Sequence, residues 1–261
     1  MPSKFVLLFL LLLAGTQPGC AALRGGSPEG RANPEELFDA LFSPGAGSAA
    51  LRGEAEVTLS MAGRKVSLPG ALLLAPPDRF RIDLLDPLDR PLAVIFSDGP
   101  RLVQYQPAAS AAAFIIPVPP DCTDVAPGAW VAALLGDGEN AATKGRWQLQ
   151  SGWGGTRLVR YEAASLRQEA SFDEGITPPA LRSLSWYCGG RPVMRLQIPS
   201  FIGKGQDRLP EGFDISYPAS GLVMSARFRQ VESAEAPEER LLTPSLPGRT
   251  SWTTWDLVPG E

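Results

Sequence analysis

From about residue 50 onward the chain alternates. Ala55, Val57, Leu59 and Met61 interleave with Glu54, Glu56, Thr58 and Ser60. Period two marks a strand that is apolar on one face and wet on the other. After Ala62-Gly63-Arg64, the residues Val66, Leu68, Leu72 and Leu74 predict the returning strand, with a kink or bulge at Pro69-Gly70. Phe80, Ile82 and Leu84 then oppose Arg79, Arg81 and Asp83. Asp86-Pro87-Leu88-Asp89 has turn chemistry. Leu92, Val94 and Phe96 resume the pattern, Ser97-Asp98-Gly99-Pro100 turns again, and a strand follows over Arg101 to Tyr105. Short strands, tight turns and one apolar face predict an antiparallel meander.

Residues 107–120 are apolar but broken by prolines and read as a loop or edge segment around Phe114 to Ile116. Strands resume at Arg146–Gln150, Arg157–Ala163, Arg167–Phe172, Leu181–Tyr187, Val193–Ser200, Phe213–Tyr217 and Leu222–Val231. Two short helices are expected. The first starts at Asn33-Pro34-Glu35-Glu36, which supplies a cap, a proline at the first position and acids in the first turn. It carries Leu37, Phe38, Leu41 and Phe42 on one face. The second falls within Asp124–Leu135, with Trp130, Val131, Leu134 and Leu135 on one side. After Glu232 an acidic, proline-rich tail shows no period, and Trp252 and Trp255 near its end are either docked or exposed. The fold class is therefore mainly β, with about eleven strands. Its apolar face must be covered by another layer or curl around something.

The N-terminus changes the picture. Lys4 precedes the apolar run Phe5 to Ala14, which is too short to span a bilayer and reads as a signal-peptide core. Cys20 follows Gln17-Pro18-Gly19 and resembles the lipidated cysteine of a bacterial lipobox, although Gln17 stands where Leu or Val is usual. The rival reading is a secreted protein with an incidental Cys20. The chain divides into a signal peptide (1–19), a lipidated Cys20 with a Gly-rich tether (20–33), a main domain (34–232) and the tail (233–261). Ala21 after the cysteine leans towards an outer-membrane, periplasm-facing location.

Composition narrows the chemistry. A net charge of −4 and a pI of about 5.1 offer no basic stripe for nucleic acid. The chain has 0 histidines, which removes Ser-His-Asp and Cys-His relays and most zinc sites. No cofactor motif is present, and the reading is not an enzyme. Asp83, Asp86 and Asp89 form an acidic cluster, but without the glycine and ligand order of a calcium loop. A hydrolase built on carboxylates alone remains a distant alternative. Cys122 and Cys188 are either a disulfide in an oxidising compartment or two buried thiols.

The string from Pro77 to Leu88, followed by a strand and Ser-Asp-Gly, resembles the LolA/LolB group of periplasmic lipoprotein carriers and outer-membrane lipoprotein receptors, the receptors in particular. The closing segment from Leu209 to Glu232 resembles that group's last strands. The resemblance implies a half-open antiparallel β-barrel with one or two helices as a lid over an acyl-chain cavity. It also implies acyl chains of lipoproteins or lipids as ligands, a periplasmic carrier protein as partner, and a membrane held through the N-terminal lipid. On this reading Val57, Leu59, Phe80, Ile82, Leu84, Val94, Phe96, Trp147, Leu149, Trp186 and Phe228 line the cavity, or else form an ordinary filled core. Leu88 matches a loop leucine that delivers cargo to the membrane, with Asp89 where the group usually has glycine; the alternative is that Leu88 folds back on the sheet. A filled barrel would make the protein an envelope scaffold that binds protein partners.

Overall fold

The structure is a computed structural model and describes residues 33, 35–37, 40, 50–97, 101–107, 112–116, 125–135, 146–152, 155–162, 166–203, 208–244, 246 and 251–254. All belong to the unit Ala32–Glu261. The expected lipid anchor Cys20, and with it Phe38, Leu41, Phe42, Cys122 and Trp255, lies outside them. The strands are β1 (Ala50–Met61), β2 (Arg64–Ala75), β3 (Arg79–Leu85), β4 (Pro91–Ser97), β5 (Leu102–Gln106), β6 (Ala112–Ile116), β7 (Arg146–Gly152), β8 (Gly155–Glu162), β9 (Leu166–Asp173), β10 (Ala180–Cys188), β11 (Arg191–Gln197), β12 (Phe201–Ile202), β13 (Leu209–Pro210), β14 (Gly212–Tyr217), β15 (Leu222–Ala234) and β16 (Ser251–Thr254).

Fourteen strands form one sheet in the order β16-β6-β5-β4-β3-β2-β1-β15-β14-β11-β10-β9-β8-β7, and β12 and β13 make a separate ribbon. All pairs are antiparallel except β16 on β6. Among the described residues β16 and β7 do not pair with each other, so the barrel is open. The strand count exceeds the expected one because the loop or edge segment around Phe114 to Ile116 is strand β6, and because β12, β13 and β16 are too short to show a period.

One row of directly opposed residues shows how the inner face is built. Leu149, Leu158, Ala170, Leu184, Leu196, Ile215, Met224, Leu59 and Val66 follow one another across neighbouring strands from β7 to β2. Opposed residues of an antiparallel pair share a face. The middle of the row is buried, while its ends, Leu149 and Val66, are 43% and 50% exposed. Leu149 lies on the edge strand β7, and Val66 lies in the stretch of β2 that precedes its pairing with β3.

Pro69-Gly70 causes neither bulge nor kink in the pairing: β2 stays in register with β1 from Arg64 to Leu74. Pairing of β2 with β3 begins only at Gly70, so Pro69, which has no N–H, sits where β2 has a partner on one side. The register shift lies instead between Glu54 and Ala55, in the pairing of β1 with β15.

Among the described residues three helical pieces accompany the sheet. Residues 35–37 and 40 are helical. Asn33 caps them, its Oδ1 accepting from the Glu35 amide at 3.1 Å, and Leu37 is fully buried. Helix α1 (Trp130–Leu135) is shorter than the expected segment and starts just after Pro127-Gly128. Helix α2 (Glu239–Leu242) lies in the tail that shows no period. Arg81 Nη1 donates to the Leu241 carbonyl at 3.1 Å, and Leu242 packs with Ala50 and Ala75. The tail thus returns across the convex face, and β16 extends the sheet beyond β6.

Candidate functional site

The concave face is closed over by α1. A six-residue helix is marginal in isolation. This one is held by Trp130, Val131, Leu134 and Leu135, all buried, each contributing about 1.5–3 kcal/mol on leaving water. Trp130 is fully buried, its ring 5.1 Å from that of Phe80 and 4.8 Å from that of Phe213. Its Nε1 donates to Tyr217 Oη at 3.2 Å, and the Tyr217 hydroxyl donates in turn to the Pro127 carbonyl at 2.7 Å. Burial pushes the Tyr217 phenol well above its ordinary pKa, opposed by the bond from Trp130. The Ala132 amide donates to the Pro77 carbonyl at 3.1 Å, so the turn between β2 and β3 grips the helix backbone directly.

The predicted lining residues divide into four groups. Val57, Phe80, Ile82, Leu84 and Trp186 are buried together in the main core, with Leu59, Trp147 and Phe228 packed against it half-buried. Leu149 stands on the inner face by register but is exposed, on the edge strand β7. Val94 and Phe96 are on the other face, and this corrects their assignment to the cavity. Ile82 is opposed by Ile95 and Leu84 by Ala93, so Ala93 and Ile95 point inward with the core. Val94 and Phe96 form a separate convex cluster with Val103, Tyr105 and Ala113 under Leu246 of the tail. The run Leu92-Ala93-Val94-Ile95-Phe96 is apolar at every position, so alternation cannot choose a face; the register chooses it. The inner face also carries Arg160, opposed to Trp147, 4% exposed and 5.9 Å from the Trp147 ring centre.

Leu88 is 71% exposed. The turn that displays it is built on Asp86, which is buried. Asp86 Oδ1 accepts from the amides of Leu88 at 2.7 Å and Arg90 at 3.0 Å, and Oδ2 accepts from Arg90 Nε at 2.8 Å. Asp89 has φ +56, the left-handed region glycine favours and Asp tolerates, so the turn does not need the glycine. Hydrogen bonds from Arg90, then from the Leu88 amide, hold the Asp86 carboxyl below its ordinary range, against the opposing effect of burial. A depressed carboxylate stabilises the fold above its unfolded pKa, about 3.9. That contribution is lost as pH falls through the folded value. Protection factors of the Leu88 and Arg90 amides are therefore expected to hold from neutral pH down to about pH 4 and fall below it. In Asp86→Ala both amides should exchange freely throughout; equal protection in the variant would remove Asp86 from this role.

Asp83 takes a forked contact from Arg81, at 2.9 to 3.1 Å. Among the described residues no group of three or more acids and cysteines could hold a metal, and no helix is long and apolar enough to cross a membrane. Cys188 is buried and disulfide-bonded, with its partner outside the described residues.

Several solved structures superpose on this chain at low sequence identity. A DUF1329 family protein from Desulfovibrio piger superposes with a TM-score of 0.50 at 11% identity, over 80% of this chain and 95% of that one. An outer-membrane lipoprotein-sorting domain from Vibrio parahaemolyticus gives 0.49 at 12% identity, over 79% and 94% of the two chains. A LolA superfamily protein from Nitrosomonas europaea gives 0.48 at 12%, over 80% and 94%. No family profile matches the sequence, and no curated protein does. The likeness is one of fold: a mainly β chain whose large open sheet wraps an apolar face.

Sequence reasoning found the helix but not what surrounds it. Gly128, Phe213 and Tyr217 complete the clasp around Trp130, and only long-range register brings them there. Pro127-Gly128, two residues before Trp130, is the local signal of a tight helix entry.

Proposed function

We propose that this chain is a lipid-anchored envelope protein. It binds acyl chains of lipoproteins or lipids on its concave face and releases them at the outer membrane, without covalent chemistry. Cys20 carries the anchor, Cys122 is the partner of Cys188, and a periplasmic carrier supplies the cargo. The observation that carries the reading is Leu88. The buried Asp86 holds an apolar side chain out in solvent, at the tip of a hairpin whose strands enclose the core. A leucine entering the bilayer gains about 1.5–3 kcal/mol. The α1 helix is the lid: an acyl chain entering between Phe80 and Phe213 takes the place of Trp130.

The test is Leu88→Glu. Transfer of a triacylated peptide from the loaded protein to vesicles is expected to slow by about tenfold or more, since each 1.4 kcal/mol is a factor of ten. Melting temperature and peptide affinity should not change. Transfer at the wild-type rate would remove Leu88 from delivery.

One observation favours a second reading. Trp130 fills the space between Phe80 and Phe213 without residual exposure, as it would in an envelope scaffold with a permanently filled barrel that binds protein partners.

A further inference from the structure

The turn between β9 and β10, residues 198–203 after β11, and Arg208 line a cleft of about 530 Å³. That is within the size range of small-molecule sites, roughly 300–1,000 Å³. Strands β3 and β10 run in the same direction; the Leu88 turn follows β3, whereas the cleft lies where β10 begins. The two therefore occupy opposite ends of the sheet. Asp173, Arg182 and Arg208 supply its charge, and Ile176, Ile198 and Phe201 an apolar wall.

Arg208 is the unusual member. It is 8% exposed, although arginine is almost never buried unless paired. Nη2 donates to the Pro179 carbonyl at 2.5 Å, and the guanidinium carbon stands 5.5 Å from the centre of the Phe201 ring. Burial lowers its pKa from the ordinary guanidinium range, and the charge of Asp173 opposes this. Asp173 is the one carboxylate among the described lining residues, and it is divided: Oδ1 accepts from the Gly175 amide at 3.0 Å and Oδ2 lies 3.5 Å from Arg182 Nη1. Among the described lining residues two guanidiniums thus face one carboxylate, an excess of positive charge in the lining.

We propose that this cleft binds a phosphate-headed amphiphile, with the phosphate between Arg182 and Arg208 and the apolar stem against Ile176, Ile198 and Phe201. Planar guanidiniums bind oxyanions in a forked manner. One fork satisfies a carboxylate, whereas a phosphate presents enough oxygens for two. Ser200 Oγ is already committed to Glu211 at 2.6 Å, so recognition falls to the arginines. Ile198 belongs both to the cleft wall and to the main core, which gives the stem an apolar floor. The inference does not rest on acyl binding in the concave face.

The test uses the full chain in a neutral detergent, titrated calorimetrically with dihexanoyl phosphatidic acid, dihexanoyl phosphatidylcholine and inorganic phosphate. Phosphatidic acid should bind tightest. Arg182→Gln, at an exposed position, should weaken it about tenfold, the worth of one charged hydrogen bond. Arg208→Gln should weaken it further, and if that variant fails to fold, Arg182→Gln alone decides. Displacement of an apolar dye by a triacylated peptide should be the same in Arg182→Gln as in wild type. Equal binding of the two lipids, or wild-type affinity in Arg182→Gln, would overturn the proposal. Inorganic phosphate binding as tightly as phosphatidic acid would overturn its amphiphile half and leave a free-phosphate site.

Discussion

Trp130→Ala is expected to cost the domain about 3–5 kcal/mol, the usual range for removing a fully buried tryptophan. The variant loses both ring contacts, with Phe80 and Phe213, and the hydrogen bond to Tyr217. Tyr217 keeps its bond to the Pro127 carbonyl, so the loss is one of packing more than of an orphaned hydroxyl. At about 2–4 °C per kcal/mol for a domain of this size, the melting temperature should fall by roughly 10 °C. Denaturant titration checks it. The sheet registers on either side of Trp130 do not depend on the helix, so the variant should retain its β spectrum and lose mainly the order of α1. A change under 1 kcal/mol would mean that α1 is not packed in the concavity.

Gly128→Ala is expected to have the next largest effect. A Cβ at this position would stand 1.7 Å from the Asp78 carbonyl oxygen and 2.6 Å from its carbon. Those atoms are backbone, in the turn that also accepts the Ala132 amide through Pro77. They cannot rotate away, so α1 must lift off the turn or the turn must move. Overpacking of this kind costs about 1–3 kcal/mol or more. Gly63→Ala is the control: Gly63 has φ +75 and nothing within 4 Å of the added carbon, so it carries only the ordinary left-handed penalty of about 1 kcal/mol. Amide exchange of residues 130–135 should accelerate in Gly128→Ala and be unchanged in Gly63→Ala. Equal exchange in both would show that α1 is not seated on Asp78.

Alternation made most of the sheet readable. Ala55, Val57, Phe80, Ile82 and Leu84 lie inward as their period requires, because polar residues at the intervening positions fix the face. Val94 and Phe96 were misread because their strand has no polar intervals, and a tail placed far along the sequence makes its outer face apolar too. The tail itself hid its structure: α2 is four residues long, and its docking depends on Arg81 and Leu242 meeting elements more than 150 residues away in sequence. Leu88 could be suspected from an apolar residue between two acids, but its exposure depends on Asp86 folding inward to bind the turn. The Arg182–Arg208 cleft had no local signature, since two loops with no shared motif create it.

The claim that organises these features is that the concave face takes acyl chains in place of Trp130. The most direct measurement loads residues 21–261 with an environment-sensitive apolar dye and titrates a triacylated peptide against its unacylated twin. The acylated peptide alone is expected to displace the dye, and amides in α1 to lose protection as it binds. No dye uptake, or the same response to both peptides, would contradict the claim and leave a filled barrel.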